Sequence, residues 1–386
     1  MTKKILCKCI IVALSFSMLF SCLMVKSYAE DDPLAIDAIS AVLMEASSGK
    51  IFYEKNADTP LPPASVTKIM TLLLVIEAVD DGKVSMNDTV TVSERAASMG
   101  GSQVYLKVGE TMSLEDMVKS VVIASANDAA VALAEHIAGS EEAFVKRMNE
   151  RAGELGMVNT NFENTNGLDD TAEKHLISAK DIAIMSRELI RHEKILDYSS
   201  IWMDSIRDGA FGLTNTNRLI RFYNGANGLK TGSTSKAKFC ISATAKRDGM
   251  QLIAVIMGSP TGDIRNAQAK KLLDYGFANY GLYTAPEVEL GDITVYGGVE
   301  RTLPLKYEKF TTVLPKENIK NIRYEVSLPE YISAPVKDGD SVGQIIYMNG
   351  EEEIGRTEIY SDYGTERIGF FGVLRRIFLS AILINT

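Results

Sequence analysis

Residues 41–56, AVLMEASSGKIFYEKN, carry two strand-length apolar runs on either side of Ser47-Ser48-Gly49, which predicts two strands about a tight turn. The pattern then switches. Residues 64–79, ASVTKIMTLLLVIEAV, are apolar on nearly every helical face, the mark of a buried helix. Pro62 and Pro63 keep the chain extended before it and set its start. A further helix is predicted at SLEDMVKSVVIAS, where Ser113 and Asp116 form a capping pair, and another at SAKDIAIMSRELIRH, capped by Ser178 and Asp181. Between them, ANDAAVALAEHIAG and EEAFVKRMNERAGELG read as helices that each end at a glycine. Strand signals return at KAKFCISATAKRDGMQLIAVIMG, two apolar runs about KRDGM that predict an antiparallel hairpin. NAQAKKLLDYGFANYG then reads as a helix packed on that sheet.

After residue 284 the helical period disappears. Short alternating runs with turn residues between them predict a small all-β domain over 285–365, with Asn349-Gly350 as its strongest hairpin signal. The tail, 366–386, is apolar again but has Arg375 and Arg376 at its middle. As a helix it is too short and too charged to span a bilayer, and it suits a helix lying in a membrane surface; the alternative is a helix docked on the protein itself. Residues 1–29 have Lys3 and Lys4 at the start, a long apolar stretch and the small residues Ser27 and Ala29, the layout of a cleaved export signal; an uncleaved anchor helix is the other reading. The expected organisation is therefore a signal (1–29), a main domain (30–284), a β domain (285–365) and a surface-seeking tail (366–386), in a chain exported to the outer face of the cytoplasmic membrane.

Composition narrows the function. With 386 residues, 46% of them hydrophobic, the chain can bury a sizeable core. A net charge of −9 argues against nucleic acid as a partner. Cleavage after Ala29 would remove Cys7, Cys9 and Cys22 and leave Cys240 alone, so an exported form would rely on its core and not on disulfides. The three histidines, His136, His175 and His192, show no metal-ligand spacing and lie in or beside predicted helices; no metal or cofactor is expected.

One feature of the buried helix stands out. Ser65 and Lys68 are three positions apart, so they share a helical face and the amine can reach the hydroxyl. A serine is a weak nucleophile until a base takes its proton. Apolar surroundings lower a lysine pKa, and a neutral amine is a competent base near pH 7. Alone, S-x-x-K is a common spacing. It is joined here by Ser125-Ala126-Asn127 between two apolar helices, and by Lys230-Thr231-Gly232 leading into a strand. The glycine would permit close approach of a ligand backbone. That ordered set, S-x-x-K, S-x-N, K-T-G, occurs in penicillin-binding proteins and class A β-lactamases.

The chain resembles the low-molecular-mass penicillin-binding proteins, the D-alanyl-D-alanine carboxypeptidases of the S11 serine peptidase type. The likeness extends to FENTNGLDD, HLISAKDIA and YNGANGLKTGST and covers nearly all of the chain after the signal. It implies an α/β fold of the α+β type, with a five-stranded antiparallel sheet flanked by helices and a second, small all-β domain. It implies Ser65 as the acylated nucleophile, Lys68 as its base and Ser125 as proton relay to the leaving amine. Asn127 would hold a substrate carbonyl, Lys230 and Thr231 the free carboxylate, and the Ser65 and Ser233 amides the oxyanion. An arginine at Arg265 faces the K-T-G strand in this family and would read the terminal carboxylate; the alternative is an exposed arginine paired with Asp263. The implied partners are peptidoglycan stem peptides and β-lactam antibiotics. Two departures are small: Ser233 stands where some relatives have histidine, and Thr165 where proline is common. A β-lactamase would need an added glutamate, and no E-x-x-L-N lies between the second and third motifs. D,D-endopeptidase activity and a non-catalytic wall-binding role are the remaining alternatives.

Overall fold

The computed structural model describes residues 34–170 and 172–383. The expected signal, 1–29, lies outside them. All that follows concerns the unit Ala38–Thr386. Strands β1 (Ser40–Glu45) and β2 (Ile51–Lys55) form the first hairpin. The chain then runs through the core helix α1 (Lys68–Asp80), α2 (Leu114–Ile123), α3 (Asn127–Ala138), α4 (Glu141–Glu154) and α5 (Ala179–Arg191). It returns to the sheet as β3 (Ala226–Thr234), β4 (Lys238–Arg247) and β5 (Met250–Ser259). The result is one five-stranded antiparallel sheet in the order β2-β1-β5-β4-β3, with α5 and α6 (Gly262–Asn279) packed on it.

The local signals act as expected. Ser113 Oγ accepts the Asp116 N–H and Ser178 Oγ the Asp181 N–H, both at 3.1 Å, and α3 stops at Gly139. Central strand β1 is buried along its whole length because it lies between β2 and β5 under helices, and so its sequence is a near-continuous apolar run. In α1, Ile69, Met70, Leu72, Leu73, Val75 and Ile76 are all buried. Each such side chain contributes about 1.5–3 kcal/mol of transfer free energy. Lys68, 0% exposed in the same helix, works against that sum and needs a reason to be there.

Beyond α6 the chain is β-rich. Strand β6 (Tyr280–Thr284) pairs forward with β7 (Thr311–Pro315). Strands β8 (Ile322–Ser327), β9 (Ser341–Asn349) and β10 (Glu352–Ser361) build a four-stranded sheet with Leu305–Tyr307. The β9–β10 hairpin forms where Asn349-Gly350 signals it, but Asn349 still pairs with Glu352, so Gly350 (φ +64°) is the first of two loop residues. The chain ends in α7 (Phe370–Leu383); Phe370 is 76% exposed and Phe371 82%, while Arg376 donates to the Val299 carbonyl. Among the described residues no helix is long and apolar enough to cross a membrane.

Candidate active site

The site begins with a turn. After Pro62 and Pro63 the chain enters a 3-10 turn, Ala64–Thr67, and the α-helix starts only at Lys68. The continuous helix read from the sequence thus breaks at its first turn. Ala64 sits at φ +50°, which redirects the chain so that Ser65 projects from the helix end, while Thr67 Oγ1 donates to the Ala64 carbonyl at 2.8 Å. Gly167 and Gly232 pack against this turn. A Cβ on Gly167 (φ +86°) would lie 1.9 Å from the Ala64 carbonyl oxygen, and one on Gly232 would lie 2.7 Å from the Ser65 nitrogen. The close approach that Gly232 permits is therefore that of the protein's own Ser65 turn against β3.

Lys68 Nζ lies 2.9 Å from Ser65 Oγ, 2.6 Å from Asn127 Oδ1 and 2.8 Å from the Asn166 carbonyl oxygen. Asn127 Nδ2 donates to the Gly100 carbonyl at 2.7 Å, which fixes the amide so that its oxygen faces the lysine. Burial drives the Lys68 pKa well below its ordinary value, the Lys230 charge lowers it further, and Asp128 opposes both. A neutral amine has two N–H groups and one lone pair. Asn127 Oδ1 and the Asn166 carbonyl are acceptors only, so in the neutral form they would take the two N–H groups and leave the lone pair for the Ser65 proton.

The opposite wall is β3, an edge strand, with the K-T-G residues inside the strand and not ahead of it. Lys230 is 1% exposed and its Nζ donates to the Thr231 carbonyl at 3.1 Å; burial, then Arg265, lowers its pKa to about 7. Ser125 stands on the turn between α2 and α3 at φ +63°. Ser65, Ser125, Thr231, Gly232, Ser233 and Arg265 line one cavity of about 220 Å³. Lys68, Asn127 and Lys230 are not among its lining residues and are buried beside it. Arg265 is 7% exposed and donates to the Cys240 carbonyl and to Asn266 Oδ1, while Asp263 pairs with Arg218. The exposed Arg265–Asp263 pair does not form. Burial lowers the Arg265 pKa to about 10, which leaves it a cation at neutral pH.

Sequence reading missed Asn166, whose backbone carbonyl accepts from Lys68 Nζ 98 positions away; a carbonyl has no residue-type signal. It also missed Thr216, which accepts from Thr231 Oγ1 at 2.8 Å, and Phe239 in the cavity wall. His175 is a hydrogen-bonding anchor: Nδ1 accepts the Glu163 N–H at 2.9 Å and Nε2 lies 2.8 Å from Thr67 Oγ1, in a setting that lowers its pKa to about 4 by burial. Glu77, Glu188 and His192 come together on a scale that spacing did not reveal, but Arg151 pairs with both carboxylates, at 2.7 and 3.0 Å.

A serine bonded to a buried lysine and faced by the edge strand of a helix-flanked antiparallel sheet defines a serine hydrolase of the penicillin-recognising fold. The family model described as D-alanyl-D-alanine carboxypeptidase, peptidase S11, matches residues 26–261, and the C-terminal domain of penicillin-binding protein 5 matches 278–367. The chain belongs to the S11 D-alanyl-D-alanine carboxypeptidase family. It is 43% identical over 351 residues to the D-alanyl-D-alanine carboxypeptidase DacF of Bacillus subtilis, covering 89% of this chain and 90% of that one. Penicillin-binding protein 5 of Haemophilus influenzae superposes with a TM-score of 0.73 at 32% identity, over 86% of this chain and 98% of that one. Penicillin-binding protein D2 of Listeria monocytogenes, in its ampicillin-bound form, matches 63% of this chain and 99% of its own at 33% identity and a TM-score of 0.58.

Proposed function

We propose that this serine-type carboxypeptidase removes the terminal D-alanine from peptidoglycan stem pentapeptides through an acyl-enzyme on Ser65. The observation that carries the reading is the set of three contacts to Lys68 Nζ, which reserves its lone pair for Ser65 Oγ–H. Lys68 takes that proton as Oγ attacks the carbonyl of the penultimate D-alanine. The Ser65 and Ser233 N–H groups receive the oxyanion, a preorganised arrangement of the kind that lowers acyl-transfer barriers most. Ser125 passes a proton to the departing D-alanine amine, and water then releases the tetrapeptide. Asn127 orients the base with its oxygen, and its nitrogen keeps a second hydrogen for a substrate carbonyl. Glu163 supports no β-lactamase reading: its carboxylate accepts the Lys174 N–H. Chromatography of muropeptides after incubation with the purified enzyme tests the proposal. Pentapeptide converted to tetrapeptide is the expected result; crosslinked dimers converted to monomers would move the assignment to endopeptidase.

An exopeptidase must read a free chain end; Arg265 supplies fixed positive charge beside the cavity, Lys230 adds charge below its pKa of about 7, and Thr231 is a hydroxyl donor. Arg265→Ala should lower kcat/KM on peptides with a free C-terminus by about 10–100-fold, the range for a hydrogen bond to a charged group. Substrates whose terminal carboxylate is blocked should be little affected. An equal loss on both would mean that Arg265 supports the fold and does not read the chain end.

The same proposal covers the rest of the chain: an export signal at 1–29, a catalytic domain at 30–284, a β domain at 285–365, β-lactams as inhibitors, and a peripheral place on the outer face of the cytoplasmic membrane. Helix α7 supports the last point. Ile377 is 63% exposed and Phe378 66%, beside Phe370 and Phe371, an apolar surface that a bilayer interface would cover. Deletion of 368–386 should move the protein from the membrane pellet to the supernatant with unchanged activity on a soluble peptide. Retention in the pellet after confirmed signal cleavage would remove the tail as anchor.

A further inference from the structure

The four-stranded sheet of the β domain ends in two unlike edges. One is the short strand Leu305–Tyr307, where Lys306 pairs with Asp338 at 3.0 Å and with Asp362 at 3.3 Å. A short edge that carries a lysine resists pairing with another chain. The other edge is β8, six residues long, with no proline and no bulge against β9. Among the described residues the β8 backbone pairs only with β9, and every residue from Arg323 to Ser327 is exposed. The two faces of β8 differ. Tyr324 lies opposite Tyr347 and Val326 opposite Ile345, so they share the face on which both partners are fully buried. Tyr324 is nevertheless 42% exposed and Val326 40%. The apolar face of the sheet thus runs past its core to an uncovered rim. Arg323 and Glu325 lie on the other face, 3.9 Å from each other.

We infer that β8 is an interface between two copies of this chain, which pair the strand antiparallel about Tyr324 and join their sheets into one. The order of its residues carries the assignment, because Ile322-Arg323-Tyr324-Glu325-Val326 is complementary to itself. Set antiparallel on a second copy about Tyr324, it puts Ile322 opposite Val326, Arg323 opposite Glu325 and Tyr324 opposite its own copy. Apolar residues then meet on the core side, and opposite charges meet on the outer side. Centring the pair on Arg323 or on Glu325 would set like charges face to face, and a register between residues would put apolar side chains against charged ones. One register is therefore favoured, and it has the twofold symmetry of an isologous dimer. Pairing would satisfy the open backbone groups of the edge and cover Tyr324 and Val326. A single short strand makes a small interface, so the dimer should be weak and depend on concentration.

Sedimentation equilibrium of the full chain, in a mild detergent that covers α7, tests the interface. The wild-type protein should show a monomer–dimer equilibrium. Arg323→Glu sets carboxylate against carboxylate at both symmetry-related positions, and Glu325→Arg sets guanidinium against guanidinium. Each change alone should weaken the dimer by about tenfold. The double variant Arg323→Glu, Glu325→Arg restores opposite charges in reversed order and should recover it. The two single variants, mixed in equal amounts, should associate with each other more tightly than either does with itself. A loss of local stability within one chain would not produce that result. All variants should keep the wild-type melting temperature and activity on a soluble peptide, since both positions are exposed and lie in the β domain. A protein that stays monomeric up to millimolar concentration overturns the interface. So does a dimer that the single variants leave unchanged, or a mixture no more associated than its components.

Discussion

Incubation with penicillin should leave one drug mass on the protein, on Ser65, and none on Ser65→Ala. A β-lactam imitates the D-Ala-D-Ala amide, and Ser65 Oγ stands 2.9 Å from the buried amine that would activate it. After ring opening, the leaving nitrogen stays tethered in the small cavity shared by Ser65, Ser125, Thr231 and Ser233, where it hinders the water needed for release. The adduct should therefore be long-lived. Ser65→Ala should also lower peptide turnover on the order of 10⁶-fold, the scale seen when a serine protease loses its nucleophile. Intact mass spectrometry over time is the measurement. Rapid release of hydrolysed drug would make the protein a β-lactamase.

Lys68→Ala should fold and fail to acylate, with a loss of about 10²–10⁴-fold, the usual contribution of a general base. The variant leaves Asn127 Oδ1 and the Asn166 carbonyl without the lysine, so its melting temperature should fall; a folded but inactive protein is the informative result. Lys68→Arg should not restore the rate, because a guanidinium does not give up its proton in a protein. The pH profile gives an independent sign. Lys68 must be neutral to act, so acylation is lost as pH falls through its folded pKa, which burial places well below the ordinary lysine value. Lys230 must be charged to hold a carboxylate, so kcat/KM on peptides should fall again above its pKa of about 7. A wild-type profile with no acid limb, or acylation of Lys68→Ala at the wild-type rate, would mean that another group is the base.

Much of this was legible from local pattern. The caps at Ser113 and Ser178, the hairpin of β4 and β5, the loss of helical period after residue 284 and each of the three motifs depend on neighbours within a few positions. Period and turn chemistry act over that range, so residue types report them directly. Even Lys68 declared itself, as a charge at the head of a long apolar run.

Tertiary structure decided the rest. It put K-T-G inside an edge strand, broke the first turn of the helix so that Ser65 stands clear of it, and made Gly232 a contact for the Ser65 turn. It buried Arg265 and paired Asp263 with Arg218 instead. Above all it brought the Asn166 carbonyl to Lys68. Every residue carries a carbonyl, so only the packing of distant segments determines which one accepts from the base. Sequence by itself thus named the side chains proposed to do chemistry. The fold lowers the Lys68 pKa, because desolvation comes from the surroundings and not from the residue that titrates.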